Sequence, residues 1–138
     1  MYLILLAVSA LMVAAAWSAR GTPVAIVVLV AAAVIGALAF CFHSLTVSDE
    51  GQWLRVRFGP LPLFGTRIEY ADITAVEAAR SRFVDGWGVH YLAGRGWSYN
   101  LWGFDVVVVH QGKRTVRIGS DDAENLAAFL QAKTGAKA

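Results

Sequence analysis

Two arginines two residues apart, Arg55 and Arg57, carry the most legible chemistry in this chain. At strand spacing both guanidiniums leave the same face, and two forks on one face can clamp a phosphate. The turn before them holds Asp49 and Glu50 and no lysine, which repels that phosphate, so a solvated strand face is the competing reading. Trp87, Trp97 and Trp102, with Tyr91 and Tyr99, lie among glycines; such aromatics suit an interfacial belt, a partner-binding patch or a core. The apolar run Pro60, Leu61, Pro62, Leu63 and Phe64 either enters lipid or docks a neighbour, or packs back over its own sheet.

Asp85, His90, Asp105 and His110 are residue types that bind metals, but ligation needs a convergence that their spacing does not supply. Both histidines are therefore expected as ordinary strand residues. The sequence holds no phosphate loop, no dinucleotide glycine fingerprint between a strand and a helix, and no nucleophile elbow. Gly86-Trp87-Gly88 is a turn signal. The expectation is a protein without catalytic residues, cofactor or metal, and not an enzyme.

The elements that position these residues fall into two parts. Of 138 residues only 16% are charged, against about 25% for ordinary soluble domains, and the shortage is local. Residues 1–42 carry one charge, Arg20, whereas the remaining 96 hold 11 basic and 10 acidic side chains. That near-balance leaves no basic footprint for nucleic acid. The single Cys41, inside an apolar run, excludes an internal disulfide and reads as a small buried hydrophobe.

Residues 1–42 are expected to form a transmembrane hairpin, with helices at about 2–19 and 23–42. No Lys or Arg precedes the first apolar run and a second follows at once, so a retained helix is expected in place of a cleaved signal peptide. Gly21 suits a left-handed helix stop, Thr22 a cap and Pro23 a first helical turn. Small residues Ala7, Ala14, Ala15, Ala32 and Gly36 would let the two backbones approach, unless alanine is merely common here. Arg55, Arg57 and Arg67 against Arg20 favour a cytoplasmic C-terminal domain, by a thin margin.

Residues 43–138 read as one β-rich domain. Leu54, Val56 and Phe58 alternate with Arg55 and Arg57, and further strands are expected within 45–118. Val106 to Val109 run consecutively, as in a strand covered on both faces. Residues 81–96 are open between a hairpin and a long loop. A helix over about 121–134 follows the cap residues Ser120, Asp121 and Asp122.

Leu54-Arg55-Val56-Arg57-Phe58-Gly59, the stretch Ile68 to Ile73, Gly96-Trp97-Ser98-Tyr99-Asn100-Leu101-Trp102-Gly103 and Ile118-Gly119-Ser120-Asp121-Asp122 together resemble bacterial pleckstrin-homology-like (PH-like) domain membrane proteins. The likeness covers roughly 45–133, and order and spacing carry it. It implies an α+β fold: a two-helix transmembrane hairpin, then a PH-like seven-stranded antiparallel barrel or sandwich capped by a C-terminal helix. It also implies an adaptor with no catalytic residues to carry over, and it makes Arg55 and Arg57 similar to the basic pair with which PH domains hold phosphoinositides.

The leading expectation is a module for protein–protein interaction or self-association, held in a bacterial inner membrane as a multi-pass protein. Two alternatives stay open: binding of anionic lipid headgroups through the arginine pair, and an accessory subunit acting through its transmembrane hairpin.

Overall fold

The computed structural model describes residues 2–61, 63–82, 85 and 87–136; Pro62 and Gly86, singled out above, lie outside them. Helix α1 (Tyr2–Ser18) and helix α2 (Pro23–Cys41) form where charge is absent. Gly21 takes φ +92°, the left-handed stop expected of it. Thr22 is extended ahead of Pro23, but its hydroxyl does not cap α2: it donates back to the Ala19 carbonyl at 2.8 Å.

Among the described residues only α2 is long and apolar enough to cross a membrane. At 17 residues α1 reaches only about 26 Å, short of the ~30 Å hydrocarbon layer. Of the expected pair of full-length spans, one is thus present among the described residues, and α1 is shorter than expected. The seam between the helices is built from Ala25, Ala32 and Ala39, buried at seven-residue intervals, and from Ala16 of α1. Ser9 donates to the Ala32 carbonyl at 2.9 Å, and a Cβ at Gly36 would stand 3.2 Å from the Ser9 hydroxyl. Of the small residues expected at this seam, Ala32 and Gly36 lie on it, while Ala7, Ala14 and Ala15 face outward.

Eight strands follow among the described residues: β1 (Leu45–Asp49), β2 (Trp53–Phe58), β3 (Gly65–Glu69), β4 (Ala75–Arg80), β5 (Gly88–Leu92), β6 (Gly96–Asn100), β7 (Asp105–Gln111) and β8 (Arg114–Gly119). They make two sheets, one ordered β1-β2-β3 and one ordered β4-β7-β8-β6-β5. This corrects the expectation of seven antiparallel strands and its barrel alternative: there are eight, the two sheets do not close into a barrel, and β6 and β8 run parallel. The additional strand comes from the glycine-rich stretch, where Gly94 (φ +73°) and Gly96 (φ +84°) turn β5 back along β6. The parallel contact arises because β7 skips β6 to pair with β4, and β8 returns into the gap.

Helix α3 (Ala123–Thr134) is capped by Asp122, whose carboxylate accepts the Asn125 amide at 3.3 Å, and stopped by left-handed Gly135. Its Ala123, Ala127 and Leu130 join Leu54, Val56, Phe58, Ile68, Val107, Val109 and Ile118 in one core between the sheets. Gln131 ties the helix to the Val76 carbonyl of β4 at 2.8 Å. Val106 to Val109 are all buried, as a doubly covered strand requires.

The domain is keyed to the end of α2. Phe42 meets Phe58 edge-on at 5.5 Å and stacks on Phe64 at 5.3 Å. The Gly59 amide donates to the Ser44 carbonyl at 2.7 Å. Gly59 has φ +56°, and a Cβ there would collide with the Phe40 and Cys41 carbonyls. Gly112 has nearly the same φ, +55°, with open space around it. Gly112→Ala should therefore cost only the left-handed strain, about 1–2 kcal/mol. Gly59→Ala adds a backbone clash and should lower the unfolding midpoint clearly further when both variants are melted in mild detergent.

Candidate functional site

Strand β2 sends Leu54, Val56 and Phe58 inward and Trp53, Arg55 and Arg57 outward, as its alternation predicts. Register then adds a residue that sequence reasoning used only for sidedness. Arg67 of β3 stands directly opposite Arg55, and Arg57 stands opposite Gly65. Three guanidiniums thus share the outer face of the first sheet. They line a shallow groove of about 400 Å³ closed on one side by Leu63 and Phe64.

Of the two acidic residues expected to repel an anion here, Asp49 is engaged elsewhere, while Glu50 stays beside the arginines. Asp49 accepts from the Lys133 ammonium, the Gly51 amide (2.8 Å) and the Tyr70 hydroxyl (2.9 Å). The Lys133 bond foremost, then the Gly51 amide, holds the Asp49 carboxyl below the usual range. Glu50 faces Arg55 at 3.7 Å. Arg67 lies over the Trp53 ring at 5.9 Å, and among the described residues neither Arg57 nor Arg67 has a carboxylate within ion-pair reach.

Beside this face lies the loop that leaves Gly59 at the end of α2. The two readings of that loop divide along it: Phe64 packs onto Phe42, whereas Leu61 and Leu63 project, Leu63 at 70% exposure. Pro60 is exposed as well. The tryptophans divide too. Trp102, 63% exposed, stacks on Trp87 at 4.9 Å and lines a cleft with His43 and Ser44, again next to the end of α2. Trp87 also donates to the Gly103 carbonyl at 3.3 Å. Trp97 instead meets Tyr91 edge-on at 5.8 Å, and both are exposed, while Tyr99 belongs to the core.

The metal-type residues do not converge. Asp105 pairs with Arg80 at 3.5 Å, and His110 faces Glu77 at 3.8 Å. Asp85 and His90 are neighbours only through the Asp85 backbone carbonyl. Among the described residues no group of three or more His, Cys, Asp or Glu is placed to hold a metal. The buried Asp85 carboxylate is instead a clamp: it accepts from the Arg82 amide (2.8 Å), the Ser81 hydroxyl (3.2 Å) and the Arg95 guanidinium. The Arg82 amide chiefly, then Ser81 and the nearby arginine charges, hold its pKa down.

Tyr70 gives this network a pH signature. Burial first, then its bond to Asp49 and that carboxylate's charge, push the phenol up to about 12. A pKa raised on folding stabilises the protein fully below the ordinary value near 10, and that contribution is lost as pH rises through the folded value. The wild-type melting temperature should therefore fall more steeply than that of Tyr70→Phe between pH 10 and 12. Parallel curves would remove the Tyr70–Asp49 bond from the account.

No family model matches this chain, and neither curated proteins nor solved structures give a match to it. The geometry above is what bears on its function.

Proposed function

We propose that the chain is a membrane-anchored, non-catalytic binding module of the PH-like type, and that Arg55, Arg57 and Arg67 contact anionic lipid headgroups. The observation that carries this reading is the cross-strand pair of Arg55 and Arg67 with Arg57 two residues along. Like charges directly opposite on a sheet repel, and the planar guanidinium fork suits a phosphate between them. Each arginine near an anionic surface contributes about 1 kcal/mol, so three amount to roughly two decades in affinity. Leu61, Leu63 and Trp102 supply apolar tips beside the same end of α2.

The membrane reading rests on the outer surfaces of the helices. Leu3, Ile4 and Leu11 of α1 and Val24, Ile26, Val27, Val30 and Val34 of α2 are exposed, a surface that water does not favour. Polar aromatic pairs bracket it: Arg20 lies over Trp17 at 5.0 Å at the hairpin turn, and Tyr2 meets His43 at 5.0 Å at the other end. In this proposal α1, though short, accompanies α2 through a bacterial inner membrane. The arginine face then lies on the cytoplasmic side, as the excess of arginine there over Arg20 favours. The helix packed across the strands supports the PH-like likeness, and the open second sheet with its parallel pair departs from it. The assembly reading rests on a different surface, the cleft beside β3 and the β7–β8 turn.

A photo-crosslinking side chain at position 57, in the full chain reconstituted into nanodiscs, tests the headgroup reading. Lipid adducts should be several-fold more abundant with phosphatidylglycerol than with phosphatidylcholine alone. Arg55→Ala combined with Arg67→Ala should erase that difference. Equal yields in the two lipids would sink the proposal.

A further inference from the structure

A second basic surface lies at the edge of β3. A cleft of about 590 Å³ opens between β3 and the ends of the second sheet. It is lined by Arg67, Lys113 and Arg114, by the exposed Tyr91–Trp97 pair, and by no acidic residue among those described. None of the three cations has a carboxylate within ion-pair reach among the described residues. Lys113 and Arg114 sit at the β7–β8 turn, about 17 Å along β8 from Gly119. Gly119 borders the other cleft, the one that Trp102 shares with His43 at the end of α2.

The backbone of β3 adds a second observation. The Phe58 amide donates to the Phe64 carbonyl at 3.0 Å and the Tyr70 amide to the Gln52 carbonyl at 3.0 Å. These two bonds fix the parity of the antiparallel ladder: the main-chain groups of Thr66 and Ile68 turn toward β2. Those of Gly65, Arg67 and Glu69 therefore turn toward the open edge, where no strand among the described residues pairs with them. An edge of this kind accepts an extended chain by strand addition.

We propose that this edge and cleft bind an acidic, extended segment of a partner polypeptide, which pairs with the backbone of β3 while its carboxylates meet Arg67, Lys113 and Arg114. Charge complementarity selects the partner's chemistry, since a cleft with three unpaired cations favours an acidic chain and rejects a basic one. The aromatic pair offers apolar contact to the intervening side chains of the added strand. The site is distinct from the arginine face on which the headgroup reading rests, with Arg67 the one cation in common.

The probe is a short labelled peptide of alternating Glu and Val, titrated into the full chain in phosphatidylcholine nanodiscs and followed by fluorescence anisotropy. The peptide should bind and its Lys-Val counterpart should not. Lys113→Glu with Arg114→Glu should weaken binding at least about tenfold, and Lys113→Ala with Arg114→Ala by an intermediate factor. N-methylation of alternate residues on the pairing side of the peptide should abolish it. Absence of binding, unchanged affinity in the charge-reversed variant, or undiminished binding of the N-methylated peptide would overturn the proposal. So would loss of phosphatidylglycerol-dependent crosslinking at position 57 in the charge-reversed variant, which would assign these cations to lipid. Self-association that the charge reversal abolishes and the peptide does not compete with would also overturn it, in favour of a second copy. Failure of the headgroup reading alone leaves these binding results unaffected.

Discussion

The contact on which the rest of the molecule depends is the one between the last turn of α2 and the first sheet. Phe42 leaves the helix directly into a cluster with Phe58 and Phe64, and Gly59 lets the β2 strand end against the helix carbonyls. Two residues separate Phe42 from β1, too few to act as a flexible tether, so the helix end and the domain meet in a fixed relation. Every surface of interest is placed by that relation. The loop with the Leu61 and Leu63 tips starts from Gly59, and Trp102 shares a cleft with His43 and Ser44. Arg57 lies one residue before Phe58.

Charge in the domain is nearly balanced in number but not in disposition. Asp49 and Asp85 are each surrounded by three or more donors, and both titrate below the ordinary carboxylate range for that reason. Carboxylates satisfied internally no longer offset the cations on the surface. Among the described residues Arg57 and Arg67 of the first sheet and Lys113 and Arg114 at the β7–β8 turn are left without a carboxylate in ion-pair reach, in a chain whose formal net charge is only +2, although Glu69 shares the outer face with Arg67. A charge count over the chain hides this disposition, and it is the disposition on which the proposed anion-binding surfaces rest.

What could be read in the sequence was local. The helix stop at Gly21, the first turn at Pro23, the alternation of β2, the buried valines of β7 and the Asp122 cap all depend on a residue and its near neighbours. What could not be read depends on pairing across distance. Arg67 acquires its meaning from standing opposite Arg55, which is a matter of register. The β5–β6 hairpin is hidden because the glycines that turn it also erase its periodicity. The parallel contact of β6 with β8 follows from where β7 goes, and nothing in either strand announces it. Asp85 reads as a metal-type residue in sequence because its partners are invisible in one dimension: Arg95 reaches it from the far end of the hairpin. The same blindness explains the tryptophans, which look alike in sequence and serve different surfaces once stacked on Trp87 or set against Tyr91.

Arg67 links the two proposed surfaces. Its side chain lies on the outer face with Arg55, its main chain faces the open edge, and the residue lines both the groove and the cleft. One guanidinium cannot neutralise two anions at full strength, so a headgroup drawn to the arginine face and an acidic segment on the edge compete for part of the same charge. Coupling of this kind is reciprocal: whatever lipid subtracts from the affinity for the segment, the segment subtracts from the affinity for lipid. A domain fixed rigidly to its helix end, with Arg67 at the meeting of face and edge, would hold a partner most tightly where the surrounding membrane is least anionic. If both proposed surfaces act, the composition of the bilayer would become an input to partner binding, with no moving part required beyond the choice of anion by one side chain.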